Sequence, residues 1–347
     1  MSTVTLHDDA QVIRDIIAAA KANGETTAII PKSNPITGAE IYNIASTVWL
    51  DSDTTVILDG CTLRFADDVT CNMFASIGAW DTRDSEAVNK GYKNIKILGK
   101  NGAKFEGGNS NGQTEKTIED ASKMFFNSFI LLRNVEGFEI SGIECVEPRF
   151  WCFTNIAARY GSIHDIHFDC HNKMPNQDGI DLRAGCNNID IYNITGATGD
   201  DTVALTTIGR LDEWWTVDSY SDIDIHDVTM KDINAGCSGG HGVIRLLAHD
   251  TRKIYNVDMV NIRDASVDGV GIPSYACIRI GDVRYFAEIP QEMGDLTGVR
   301  IDGVISNSQT AILVNNDNIT KNDVSYTNVT AIQGEIITVK DSEKFFA

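Results

Sequence analysis

The stretch NQDGIDLRAGCNNIDIYNITGATGDDTVAL, residues 176–205, decides how the rest of the chain is read. It carries three aspartates, Asp178, Asp200 and Asp201, each beside a glycine or another aspartate and each just ahead of an apolar run. D-G-I-D-L from Asp178 is answered 23 residues later by D-T-V-A-L from Asp201. A period of that size suits one turn of a β-solenoid, in which equivalent positions on successive turns sit one strand spacing, about 4.8 Å, apart. Two carboxylates one turn apart in sequence are then neighbours in space. The outline returns 40 residues beyond Asp201 as S-G-G-H-G-V-I-R-L, which reads as placing His241 where Asp178 and Asp201 stand. An acid, an acid pair and a histidine stacked on successive turns form a candidate site.

Working outward, two series of short runs interleave. One comprises NIKILG (94–99), FEISGI (138–143), IHDIHF (163–168), IDIYNI (189–194), IDIHDV (223–228), IYNVDM (254–259) and VRIDGV (299–304). The other comprises FILLRN (129–134), WCFTNI (151–156), GIDLRA (179–184), TVALTT (202–207), GVIRLL (242–247), ACIRIG (276–281), AILVNN (311–316) and EIITVK (335–340). Alternation within each run turns one face inward, Asn, Asp and Gly mark the corners, and no helix of crossover length intervenes after Asn94. The pattern predicts an all-β chain, a right-handed parallel β-helix occupying residues 1–347 as one domain. Residues 8–23 place Val12, Ile13, Ile16, Ile17 and Ala20 on one face, with Asp8 or Asp9 as N-cap and Gly24 past the end. This reads as a helix capping the first turn, which has no neighbour beneath it. Residues 79–94, 106–122 and 207–220 break the period and are expected to protrude. The last is an inserted loop bearing Trp214 and Trp215, a candidate platform for the apolar face of a sugar ring.

The formal net charge of −20 excludes a nucleic-acid partner, whose phosphates need a basic face. No stretch approaches the roughly 18–20 apolar residues of a membrane span. The start, MSTVTLHDDAQ, lacks a basic region followed by an apolar core. The chain as given therefore reads as soluble and cytoplasmic, or as secreted or periplasmic if trimmed of a signal. The eight cysteines show no CxxC and no metal-finger spacing, and several lie in strand-like runs, so buried free thiols are expected.

Two carboxyl groups facing one cleft suffice to hydrolyse a glycosidic bond: one protonates the leaving oxygen and the other activates water or attacks carbon. The strings NQDGID, GDDTVAL, CSGGHG and RIG, in this order on a β-helical pattern, resemble the signatures of family 28 glycoside hydrolases, the polygalacturonases and rhamnogalacturonan hydrolases. The likeness extends over most of the chain, through TVWLDSDTTVILDGCTL, NIKILGKNGAKFEGG and VEPRFWCFTNI. The resemblance implies an inverting hydrolase of a pectin-like or related polysaccharide or oligosaccharide, needing no metal or other cofactor. Asp200 would be the general acid, Asp178 and Asp201 would hold and activate water, and His241 would support the acid's protonation state. Arg279 would bind the sugar at the cleavage point, with Asn176, Arg245, Trp214 and Trp215 as further substrate-binding residues. Where the family's RIK string has a lysine for the galacturonate carboxylate, this chain has Gly281, followed by Asp282. Arg183 or Arg245 would have to replace that charge. Two other classes stay open: a non-catalytic carbohydrate-binding β-helix of the tailspike or adhesin type, and a β-helical polysaccharide lyase or epimerase. Such folds occur as monomers and as trimers, and the sequence reads equally as either.

Overall fold

The computed structural model describes residues 7–113, 125–171, 176–207, 216–248, 251–281 and 292–341. The chain winds into a right-handed parallel β-helix in which strands from successive turns stack into two long sheets. Apart from an isolated antiparallel bridge between Cys237 and Ile272, the pairing among the described residues is parallel. Both predicted series are present. The first series forms the longer strands, Arg159–Asp169, Asn187–Thr198, Ile225–Cys237, Ile254–Asp264 and Leu296–Ser306.

Those strands are longer than the runs read from sequence because each continues through a corner. Asp165, Asn193, Asp232, Asn261 and Asn328 occupy one corner column with φ between 53° and 56°, a region that only Gly, Asn and Asp enter at modest cost. Their side chains form a ladder, in which the Asn193 amide donates to Asp165 and the Asn261 amide donates to Asp232. The bend creates a third face, lined early in the chain by the separate strands Ile41–Ile44, Thr62–Phe65, Lys104–Glu106 and Glu144–Val146.

The second series forms the other sheet, here called the site sheet. Its described strands run in order through Val48–Leu50, Phe74–Ser76, Ile130–Arg133, Phe153–Ile156, Ile180–Leu182, Val203–Thr206, Ile244–Leu247, Ala276–Ile280, Thr310–Asn315 and Glu335–Lys340. Inward residues such as Ile180, Leu182, Val203, Leu205, Ile244 and Leu246 join one core that extends from the first turn almost to the last. All eight cysteines are buried and free.

The N-terminal helix spans Ala10–Ala22 and buries Ala10, Ile13, Ile17 and Ala20 against the first turn. Asp9 stands at the N-cap position, but its carboxylate turns to the coil, accepting from the Asn34 side chain at 2.6 Å and the Asn43 N–H at 2.8 Å. The 79–94 stretch, expected to be a loop, contains the short helix Glu86–Lys90, whose Val88 N–H is capped by the Ser85 hydroxyl. Trp214, Trp215 and Asp282 lie outside the described residues.

Candidate active site

The outward face of the site sheet carries one register row: Leu131, Thr154, Asp181, Ala204, Arg245, Arg279 and Leu313. Just upstream of these strands the chain enters from a corner, and there the aspartates stack. Ile180 pairs with Val203, so Asp178 and Asp201, each two residues earlier, are level. The backbone bonds continue through them: Cys152 N–H donates to the Asp178 carbonyl at 2.9 Å and Gly179 N–H to the Asp201 carbonyl at 3.0 Å. One carboxylate oxygen from each of Asp178, Asp200 and Asp201 lies within 4.8 Å of the others.

His241 is in the site but not in the register read from sequence. Val203 pairs with Ile244, which sets Gly242 level with Asp201 and His241 level with Asp200. Its Nδ1 stands 3.1 Å from Asp200 Oδ1, and the ring is nearly half exposed. Had position 242 carried a Cβ, it would lie 3.4 Å from Asp201 Oδ1, so the glycine keeps the space beside that carboxylate open. The other bonds to Asp200 come from the main chain: Asp201 N–H donates to Oδ1 at 3.0 Å and Asn176 N–H to Oδ2 at 2.9 Å. Asn176 thus serves Asp200 through its backbone. Arg245 Nη1 donates to Asp201 Oδ2 at 3.4 Å. Arg279 neighbours Arg245 on the row, and both guanidinium charges act on Asp201.

Burial is the largest influence on this cluster. It pushes the Asp178 carboxyl up, reinforced by the charges of Asp200, Asp181 and Asp201 and opposed by Arg245. Burial likewise raises Asp201, against the pull of Arg245 and Arg279. Carboxyl groups so placed cannot all ionise cheaply, so Asp178 and Asp201 hold protons at higher pH than free carboxyls do.

The residue that sequence reading passed over is Asp181. It is 1% exposed, and among the described residues neither carboxylate oxygen has a hydrogen-bond partner. Burial raises its carboxyl well above the usual range, with Arg183 pulling against the shift. Its signal was available: an Asp flanked by inward Ile180 and Leu182 must face outward. Arg183, two residues on, donates to Thr206 Oγ1 at 2.6 Å and lies 4.9 Å over the Trp151 ring. Gly281 has φ of +79°, and a Cβ there would meet Asn315 Cβ and Asn318 Oδ1 at 2.6 Å. The position has neither the conformation nor the space for a lysine.

A parallel β-helix is only a scaffold; paired carboxyl groups beside an imidazole and two guanidinium groups are groups able to carry out the hydrolysis of a glycosidic bond. Residues 35–342 match the Glycosyl hydrolases family 28. The chain belongs to that family and is a glycoside hydrolase. Among solved structures it is similar to an exopolygalacturonase from Thermotoga maritima, with a TM-score of 0.63 at 12% identity over 96% of this chain and 77% of the other. It is also similar to a polygalacturonase from Erwinia carotovora, with a TM-score of 0.59 at 13% identity over 98% and 95%. A tailspike protein of Escherichia coli bacteriophage HK620 shares the fold, with a TM-score of 0.59 at 12% identity over 97% and 63%. At these identities the likeness is one of fold. A search of the curated proteins finds no match.

Proposed function

We propose that this chain is an inverting glycoside hydrolase acting on a pectin-like or related polysaccharide or its oligosaccharides. The observation that carries the reading is the triad Asp178, Asp200 and Asp201, with one oxygen of each within 4.8 Å of the others and His241 on Asp200. Asp200 donates its proton to the leaving glycosidic oxygen; it lies at the mouth of the cluster, in contact with the exposed imidazole. Asp178 and Asp201 hold the attacking water, and the ionised carboxylate of the two accepts its proton as the oxygen attacks the anomeric carbon. Arg279 and Arg245 steady Asp201 and face the sugar from the row beside it. His241 governs the protonation of Asp200 between turnovers. The nearest oxygens of the triad lie closer than the roughly 6.5–9.5 Å separation usual for inverting pairs, because Asp178 and Asp201 are level at one strand spacing and Asp200 adjoins Asp201. Water held by two carboxylates together fits that spacing.

Polygalacturonases among the structural neighbours favour a pectic backbone. The filled position at Gly281 favours an uncharged or differently charged sugar at the cleavage point. A reducing-end assay over polygalacturonate, rhamnogalacturonan and neutral plant and microbial glycans, with chelator present, tests the reading. Saturated reducing ends that ignore chelator are expected. An ultraviolet-absorbing unsaturated product would assign a lyase, and binding without release would assign a carbohydrate-binding module.

A further inference from the structure

The register row that carries Asp181, Arg245 and Arg279 also runs the other way, toward the N-terminus. From Asp181 it passes through Thr154, Leu131 and Ala75 to Trp49. Four strand spacings of about 4.8 Å put Trp49 roughly 19 Å from Asp181 on the same face of the same sheet. Trp49 is 37% exposed, the largest apolar side chain so displayed on that row.

Its surroundings are built rather than incidental. The Trp80 ring meets Trp49 edge-on at 5.3 Å and stacks on Phe126 at 4.2 Å. Trp80 is fixed by its indole N–H, which donates to Asn72 Oδ1 at 2.7 Å, while the Asn72 amide donates to the Phe125 and Ser128 carbonyls at 2.8 Å. Beyond Phe125 the aromatic strip continues to Trp151, 5.2 Å away, and so to Arg183 at the catalytic end. Beside Trp49 and Trp80 lies a cavity of about 470 Å³ rimmed by Arg14, Ser46, Thr47 and Thr70. Ser46 stands three residues before Trp49, as Asp178 stands three before Asp181, so the cavity opens on the same flank of the sheet as the carboxylates.

We infer that Trp49, backed by Trp80 and Phe126, is a distal subsite for the glycan chain whose scissile bond lies at Asp200. An exposed indole face suits the apolar C–H side of a pyranose. Its distance along the groove means that only chains several sugars long reach both places. Among the described residues no hydrogen bond holds the Trp49 indole, whereas Trp80 is tied to Asn72 and stacked on Phe126, so Trp49 can be truncated with the Trp80–Phe126 stack retained.

The inference rests on the hydrolase reading for the position of the scissile bond, and the test separates the two. Length-sorted ladders of oligogalacturonides and of galacto-oligosaccharides are compared on wild type and Trp49→Ala, measuring both calorimetric binding and hydrolysis. Wild type is expected to gain affinity once chains span the groove, in at least one ladder. Trp49→Ala is expected to lose about tenfold in affinity and kcat/KM on those long chains. Activity on short chains stays unchanged. Trp49→Phe, which keeps an apolar ring face, should recover most of the loss. If hydrolysis fails but the length-dependent, Trp49-dependent binding persists, the hydrolase reading falls and the subsite stands. Equal effects on short and long chains, or no gain with length in either ladder, would overturn the subsite whatever becomes of the catalysis.

Discussion

Among individual residues, Asp181 makes the sharpest contrast with its surroundings. An acid this buried, with neither oxygen hydrogen-bonded among the described residues, is costly to ionise. Its folded carboxyl is raised well above the unfolded value near 3.8. The folded chain therefore binds the proton more tightly, and stability from this group is present at low pH and lost as pH rises through the unfolded carboxylate range toward the folded value. Asp181→Asn is expected to raise the thermal midpoint at neutral pH, with the gain shrinking to nothing below that range. Thermal unfolding across pH checks this, and a gain that persists at acid pH would contradict it. The aspartate triad was legible because the period of one turn brings Asp178 level with Asp201. His241 was read one position off because the glycines around it were matched instead of the strand. Aligning Val203-Ala204-Leu205 with Ile244-Arg245-Leu246 would have set it beside Asp200.

In the strands, the corners explain why two series of runs, at least two strands per turn, cover a coil with three faces. Runs such as IHDIHF and IDIYNI each contain their bend, at Asp165 and Asn193, so one alternating string covers two faces. A single residue in the left-handed region turns the chain without interrupting the pattern of apolar positions. The corner side chains then bond from turn to turn, and this is where the Asn and Asp content of the runs goes. Asn193→Ala loses both the conformational tolerance and the bond to Asp165, and should cost about 1–2 kcal/mol in denaturant unfolding. Asn193→Gly, which keeps the backbone freedom, should cost less. Equal losses for the two would mean that the ladder bond alone matters.

Over the whole molecule, one core runs from the helix Ala10–Ala22 to the final turns, and a single outward row links Trp49 to Arg279. Repeat architecture makes this possible, since each turn adds one position to the row at fixed spacing. The fold was readable from strand periodicity; the outward row was not read, and Asp181 on it was passed over. The conformation that excludes a lysine at Gly281 was not readable either, because it depends on Asn315 and Asn318 from the next turn. In the proposed hydrolysis the stacked carboxylates act with Asp200 as the acid. The most direct measurement is kcat for Asp200→Asn on the glycan that wild type cleaves, beside calorimetric binding of the same glycan. A fall of about 10²–10⁴-fold in kcat with binding retained is expected. A variant that binds and still turns over within a few-fold of wild type would contradict it.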